Sequence, residues 1–379
     1  MSEAQQLQWI DSAESLRELC QQCLGCEAIA VDTEFMRSST FYPKIGLLQI
    51  NNGCANYLID PLKLTSGDLE PLRELWQSPA VVKIVHACSE DLEVFQHWLG
   101  VSPAPLFDTQ IAAAYAGVGF SLSYAKLVQS FLGLELEKGE TRSDWLKRPL
   151  SESQCHYAAL DVEYLLQVYS HLMDALHKLG RLEYVQEDCA RLVANSKTDQ
   201  DSSLAYLKVK SAWRLSPKSL AVLQSLCIWR EEQARLRDVP RSRLLKDPQL
   251  FAIAKRPPKN MKELSRVEGI PARTLREDGQ YLLTASLRAV EEQEAWPEML
   301  EKPLSVEQGQ QLKALRDHGH EMAAEKSLAT ELLFNKKEWE ELLRHFLFST
   351  PLQSARFQGW RAEQFLPALR DYFKQSIKA

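Results

Sequence analysis

The first 180 residues alternate short apolar runs with helical patterns, whereas beyond residue 200 only helical periodicity remains. Residues 27–32 (EAIAVD), 45–50 (IGLLQI), 55–60 (ANYLID) and 81–86 (VVKIVH) are strand-length and rich in Ile, Val and Leu. NNG at 51–53 supplies a turn, so 45–60 reads as a hairpin. SEDLEVFQHWL, DTQIAAAYAG, SLSYAKLVQSFLG and a long stretch from Ser151 to about Leu179 carry helical spacing. This predicts an α/β domain with a mixed sheet, followed by an all-α region.

A chain of 379 residues exceeds one ordinary core, so two or three domains are expected. The polar stretch NSKTDQDSS after Arg191 reads as a linker. Beyond it, residues 223–253 align without gaps on 312–342 at an offset of 89. Leu223, Leu226, Ala234, Leu245 and Leu250 meet Leu312, Leu315, Ala323, Phe334 and Trp339. Matched apolar positions over this length point to two copies of one helical domain. The expected domains are 1–195, 210–294 and 300–379.

Charge divides along the same lines. Residues 1–200 carry 27 acidic and 15 basic side chains, net −12; residues 201–379 carry 24 and 30, net +6. An acidic front suits cation-binding carboxylates and a basic back suits a polyanion. The first helical copy holds the cations: Arg230, Arg235, Arg241, Arg243 and Lys246 face Gly319, Ala324, Thr330, Leu332 and Asn335 in the second. A nucleic-acid face and a solvated basic surface both fit this pattern.

The opening residues lack a basic segment leading into an apolar one, and no run of 18 apolar residues occurs, so a cytoplasmic protein with no membrane contact is expected. Eight cysteines in such a chain read as reduced thiols. Cys20-x2-Cys23-x2-Cys26 has metal-like spacing, but no fourth cysteine or histidine lies near it in sequence.

The chemistry rests on carboxylates. In AVDTEF, Asp32 and Glu34 are i and i+2 on a strand, hence on one face. In HACSED, Asp91 sits in the first turn of a helix, where an acid also favours the dipole and Glu90 competes for the role. In QCHYAALDVEYLL, Tyr157 and Asp161 share one helix face. Taken singly, strand rim, helix cap and buried Tyr–Asp pair explain them. Together, four carboxylates suit two hard divalent cations, magnesium or manganese, which prefer oxygen ligands. No Walker lysine loop, G-x-S-x-G or zinc-type histidine motif competes.

VDTEF, HACSEDLEVF and QCHYAALDVEYLL, with FDTQIAAAY, GFSLSYAKLV and RSDWLKRPLS between them, resemble the exonuclease blocks of the ribonuclease D family. LCIWREEQARLRDVPRSRLLKD resembles that family's helical C-terminal domain, of which bacterial members have two. The resemblance implies a ribonuclease H-like mixed sheet followed by two small helical domains. It implies metal-dependent 3′-5′ hydrolysis of RNA ends, releasing nucleoside 5′-monophosphates. Asp32, Glu34, Asp91 and Asp161 would be the metal ligands, two ions per site, with Tyr157 as the catalytic tyrosine. Transfer-RNA precursors, among structured RNAs with 3′ extensions, would be the substrates, and a monomer is expected. A sister group uses His-x4-Asp, which His156 and Asp161 also match. However, i,i+5 residues lie about 140° apart on a helix and i,i+4 residues about 40° apart, which favours Tyr157.

Substrate contacts are expected at Phe35 and Met36, by stacking on the terminal base or else as core, and at Lys138, Arg142 and Lys147 on phosphates. Arg241 and Arg243 are the expected distal contacts. A DNA exonuclease shares the same carboxylates, and an RNA-binding module that no longer holds metal would have lost some of them.

Overall fold

The computed structural model describes residues 6–136, 139, 143–196, 201–291 and 296–377. The chain divides into two compact units, one joining the segments Met1–Met36, Ile45–Lys197 and Leu304–Ala379, the other Arg37–Lys44 and Thr198–Pro303.

The first unit is built on a six-stranded sheet of β1 (Gln6–Ile10), β2 (Ala28–Met36), β3 (Lys44–Asn51), β4 (Ala55–Ile59), β5 (Val82–Val85) and β6 (Leu106–Asp108). Their spatial order is β1-β4-β3-β2-β5-β6. β1 runs parallel to β4, β5 runs parallel to both β2 and β6, and β3 runs antiparallel to β4, so the sheet is mixed. The expected hairpin is β3–β4. Its turn is held by Asn51 Oδ1, which accepts from the Gly53 amide at 2.7 Å, and Gly53 takes a φ of +89° that a side chain disfavours.

β2 continues four residues past the predicted strand end, which places Asp32 and Glu34 within the strand. The long helix expected from Ser151 is two helices, Glu152–Glu163 and Leu165–Leu179, meeting at Tyr164. Ser151 and Gln154 form a capping box that starts the first of them.

One large core joins the sheet to the C-terminal segment of this unit. Ile29, Ile84 and Phe95 around the sheet belong to the same buried cluster as Leu315, Trp339 and Phe365 of the C-terminal segment. Arg361, fully buried, ties that segment down: it donates to Asp188 at 2.8 and 2.7 Å, to Tyr115 Oη at 2.9 Å, and to the carbonyls of Leu332 and Leu333 at 2.8 and 2.9 Å.

The second unit has its own core of Leu220, Leu223, Leu226, Leu250, Ile253 and Leu282 among others. Helix bounds repeat between the two helical segments: Pro217–Leu236 and Val306–Glu325 are offset by 89 residues at both ends, and each is capped by a serine, Ser216 and Ser305. Among the described residues no helix is long and apolar enough to cross a membrane. All eight cysteines are free thiols, Cys20 and Cys23 buried.

Candidate active site

The i,i+2 spacing of Asp32 and Glu34 on β2 puts both carboxylates on one side of the sheet. The helix Glu152–Glu163 brings Asp161 to the same place: one oxygen from each of Asp32, Glu34 and Asp161 lies within 4.8 Å of the others. All three residues are half-buried. Asp91, in the first turn of the helix Ser89–Trp98, stands beside this trio. Its Oδ1 accepts a hydrogen bond from the Thr33 hydroxyl, and its charge is felt by both Asp32 and Glu34.

Burial and mutual repulsion act together here. Burial, then the charges of Asp161 and Asp91, push Glu34 up to about 9. Asp32 is raised well above the carboxylate range by burial first and then by Asp161, Asp91 and Glu34. Burial lifts Asp161 to about 7 although Tyr157 hydrogen-bonds to it, and lifts Asp91 to about 6 although Thr33 does the same. The charges acting on Glu34 are all negative, and the donors are all hard oxygens. Such a set is compensated by protons or by divalent cations.

Tyr157 is half-buried and hydrogen-bonded to Asp161; burial, followed by the charges of Asp161, Glu34 and Asp32, pushes its phenol up, so it stays protonated. Its ring lies 6.2 Å from the buried Trp145 ring, within a small cluster with Leu47, Leu58 and Ala158. Gly46 permits this packing: a Cβ there would lie 2.6 Å from the Trp145 carbonyl oxygen.

Sequence reasoning passed over Tyr124. Its hydroxyl donates to the Leu160 carbonyl and accepts from the Tyr164 amide, both at 3.1 Å, pinning the end of the helix that carries Asp161. The only signal was a tyrosine just inside a serine-capped helix start. Thr33 was hidden in plain view between the two acids.

His156 is exposed and stands beside Glu163. His86 is held by Thr109 at 2.9 Å and the Leu122 carbonyl at 3.1 Å. Phe35 and Met36 are half-buried, and Phe35 packs on the core. Lys147 is exposed; Lys138 and Arg142 lie outside the described residues. In the second unit Arg243 is exposed, whereas Arg241 donates two bonds to Glu231, at 2.6 and 2.7 Å, and lies 4.6 Å over the Phe41 ring.

A 3′-5′ exonuclease model matches residues 7–177, and an HRDC domain model matches residues 219–285. The chain is 45% identical to ribonuclease D of Pseudomonas paraeruginosa, covering 97% of each. It is 34% identical to ribonuclease D of Escherichia coli K12, covering 97% of this chain and 98% of that one. The crystal structure of Escherichia coli RNase D, an exoribonuclease involved in structured RNA processing, matches with a TM-score of 0.91 at 33% identity, covering 99% of this chain and 100% of that one. With this fold and this acidic cluster, the chain belongs to the ribonuclease D family and is a 3′-5′ exoribonuclease.

Proposed function

We propose that this exoribonuclease cuts single nucleotides from RNA 3′ ends at the cluster of Asp32, Glu34, Asp91 and Asp161. The observation that carries the reading is the convergence of three carboxylate oxygens within 4.8 Å, with Asp91 beside them. The four would hold two divalent cations, magnesium or manganese, whose chemistry is to acidify a water and neutralise charge on the scissile phosphate. Tyr157, kept protonated, holds the attacking water by a hydrogen bond while Asp161 fixes the direction of the phenol. Trp145 and Gly46 hold the ring in place, and Tyr124 holds the helix.

Phe35 and Met36, next to the pair, would face the terminal nucleotide, and Lys138, Arg142 and Lys147 the phosphates behind it. Arg243 would extend the path in the helical domain. The substrates would be transfer-RNA precursors and other structured RNAs with 3′ extensions, processed by a cytoplasmic monomer. The three segments 1–195, 210–294 and 300–379 would be an exonuclease domain and two copies of one helical domain.

End-labelled RNA and DNA, incubated with magnesium or with chelator, test the core of this. Stepwise shortening of RNA only, lost with chelator and in Asp32→Asn or Asp161→Asn, is expected. Equal shortening of DNA, or normal trimming by either variant, would remove the assignment.

A further inference from the structure

A cavity of the first unit lies away from the four carboxylates. It has a volume of about 690 Å³ and opens between edge strand β1 and the helix Glu152–Glu163. That helix has two working sides. At 100° per residue, Glu152, His156, Ala159 and Glu163 fall within about 60° of one another and face the cavity, while Tyr157 and Asp161 sit about 150° away. The cavity therefore backs onto the wall that carries the chemistry.

Its floor is not available for recognition. Arg148 spends all five N–H groups internally, on Asp60 at 2.7 and 2.8 Å and on the carbonyls of Gly46, Trp145 and Lys147. Asp60 is thereby neutralised. The walls are apolar and opposed: Leu7 and Trp9, which share one face of β1, on one side, and Pro149, Leu150 and Ala159 on the other. Trp9 is 43% exposed, a large cost in water unless something covers it. The lining charges left are Lys63, Glu152 and Glu163, net −1 with His156 neutral.

An indole against opposed apolar walls fits a flat ring, and stacking accepts any base. Carboxylates at the rim accept from amino groups, as they do from cytosine N4. A net negative rim disfavours a phosphate inside, and the apolar walls disfavour a bare polyamine, whose charge they would desolvate. We propose that the cavity between β1 and the helix Glu152–Glu163 binds an unstacked nucleobase bearing an exocyclic amine, with Trp9 as its stacking platform and Glu163 as an acceptor. The base can come from the substrate RNA or from a free nucleoside. The site is independent of the four-carboxylate assignment.

Cytidine and uridine are nearly isosteric and differ at that amine, so they are the probes. Titration calorimetry on the full chain in chelator is expected to show cytidine binding several-fold more tightly than uridine. Trp9→Ala should weaken cytidine by about 5- to 100-fold, Trp9→Phe by no more than about threefold, and Glu163→Gln should erase the preference over uridine. Equal affinity for the two nucleosides, cytidine binding indifferent to Trp9→Ala, or spermidine binding at Trp9 where cytidine does not, would overturn the proposal. Trimming separates the sources. A raised KM for structured RNA in Trp9→Ala, with a short unstructured oligomer unaffected, assigns the base to the substrate; unchanged trimming of both by Trp9→Ala, where the unsubstituted protein binds cytidine and the variant binds it more weakly, assigns it to a free nucleoside.

Discussion

The Thr33 hydroxyl donates to the carboxylate of Asp91, joining β2 to the helix Ser89–Trp98 from the residue that separates Asp32 from Glu34. Burial raises Asp91 and this bond restrains the rise to about 6. Thr33→Val keeps the shape and removes the donor. We expect an intact fold, a higher Asp91 pKa and magnesium affinity reduced about tenfold, since groups that orient metal ligands are worth roughly 10- to 100-fold. Magnesium titration of activity checks this; an unchanged half-saturation point would mean that Asp91 needs no such partner.

The raised acids predict proton release. Near pH 7.5 the metal-free site keeps a proton on Glu34, raised to about 9, and Asp161, raised to about 7, is partly protonated. Cation binding should expel at least about one proton. Calorimetry in two buffers of different ionisation enthalpy reads that number directly, and affinity should climb between pH 6 and 9. The sign for stability follows. A carboxylate raised in the folded state favours folding below its unfolded pKa near 4, and that contribution is lost as pH climbs through the folded values of about 6 to 9. The metal-free protein should melt lower across that window, and magnesium should restore it.

The parts legible in sequence were those with a local period. β2, β3, β4 and β5 showed as apolar runs; spacing put Asp32 with Glu34 and Tyr157 with Asp161 on one face each, but only the set of four acids and the family resemblance joined them into one site. β1 and β6 did not: the first is a mostly exposed edge strand and the second has three residues, too short for alternation to register. Nor did contacts between distant positions. Arg361 and Asp188 are 173 residues apart, so nothing in the repeat announced that its second copy shares a core with the sheet. Likewise the basic count of the first copy could not reveal that Arg241 is engaged by Glu231.

Gly46→Ala tests how Tyr157 is positioned. The added methyl meets backbone and Cβ atoms of Trp145 at 2.6–2.9 Å, which cannot be relieved by turning a side chain. Overpacking of this kind costs about 1–3 kcal/mol. We expect a lower urea midpoint and, because the Tyr157 ring moves with Trp145, a kcat drop larger than the change in KM. Wild-type kcat in a destabilised variant would separate the ring from the chemistry.

Arg361→Met leaves Asp188 without its main partner. Burial would raise Asp188, but the hydrogen bonds of Arg361, the charges of Arg361 and Arg191, and Tyr115 bring it below the ordinary value. That contribution is present above pH 4 and is lost as pH falls through the depressed folded value. Removing one member of a buried pair costs about 3–5 kcal/mol. With Arg191 and Arg356 still near, about 3 is expected, read as a shifted urea midpoint that Arg361→Met with Asp188→Leu partly recovers.

Arg243 and Arg241, two residues apart in the first helical copy, should behave differently. Arg243 is exposed and free to meet a phosphate, so Arg243→Ala should weaken RNA binding uniformly across sequences and reduce the salt slope by about one. Arg241 neutralises Glu231, whose side chain is 7% exposed, and covers Phe41. Arg241→Ala should therefore lower the melting temperature and change the salt slope little. Filter binding across a salt series, beside melting curves, distinguishes the two. If Arg241→Ala alone flattened the salt dependence at unchanged stability, its guanidinium would be leaving Glu231 for RNA.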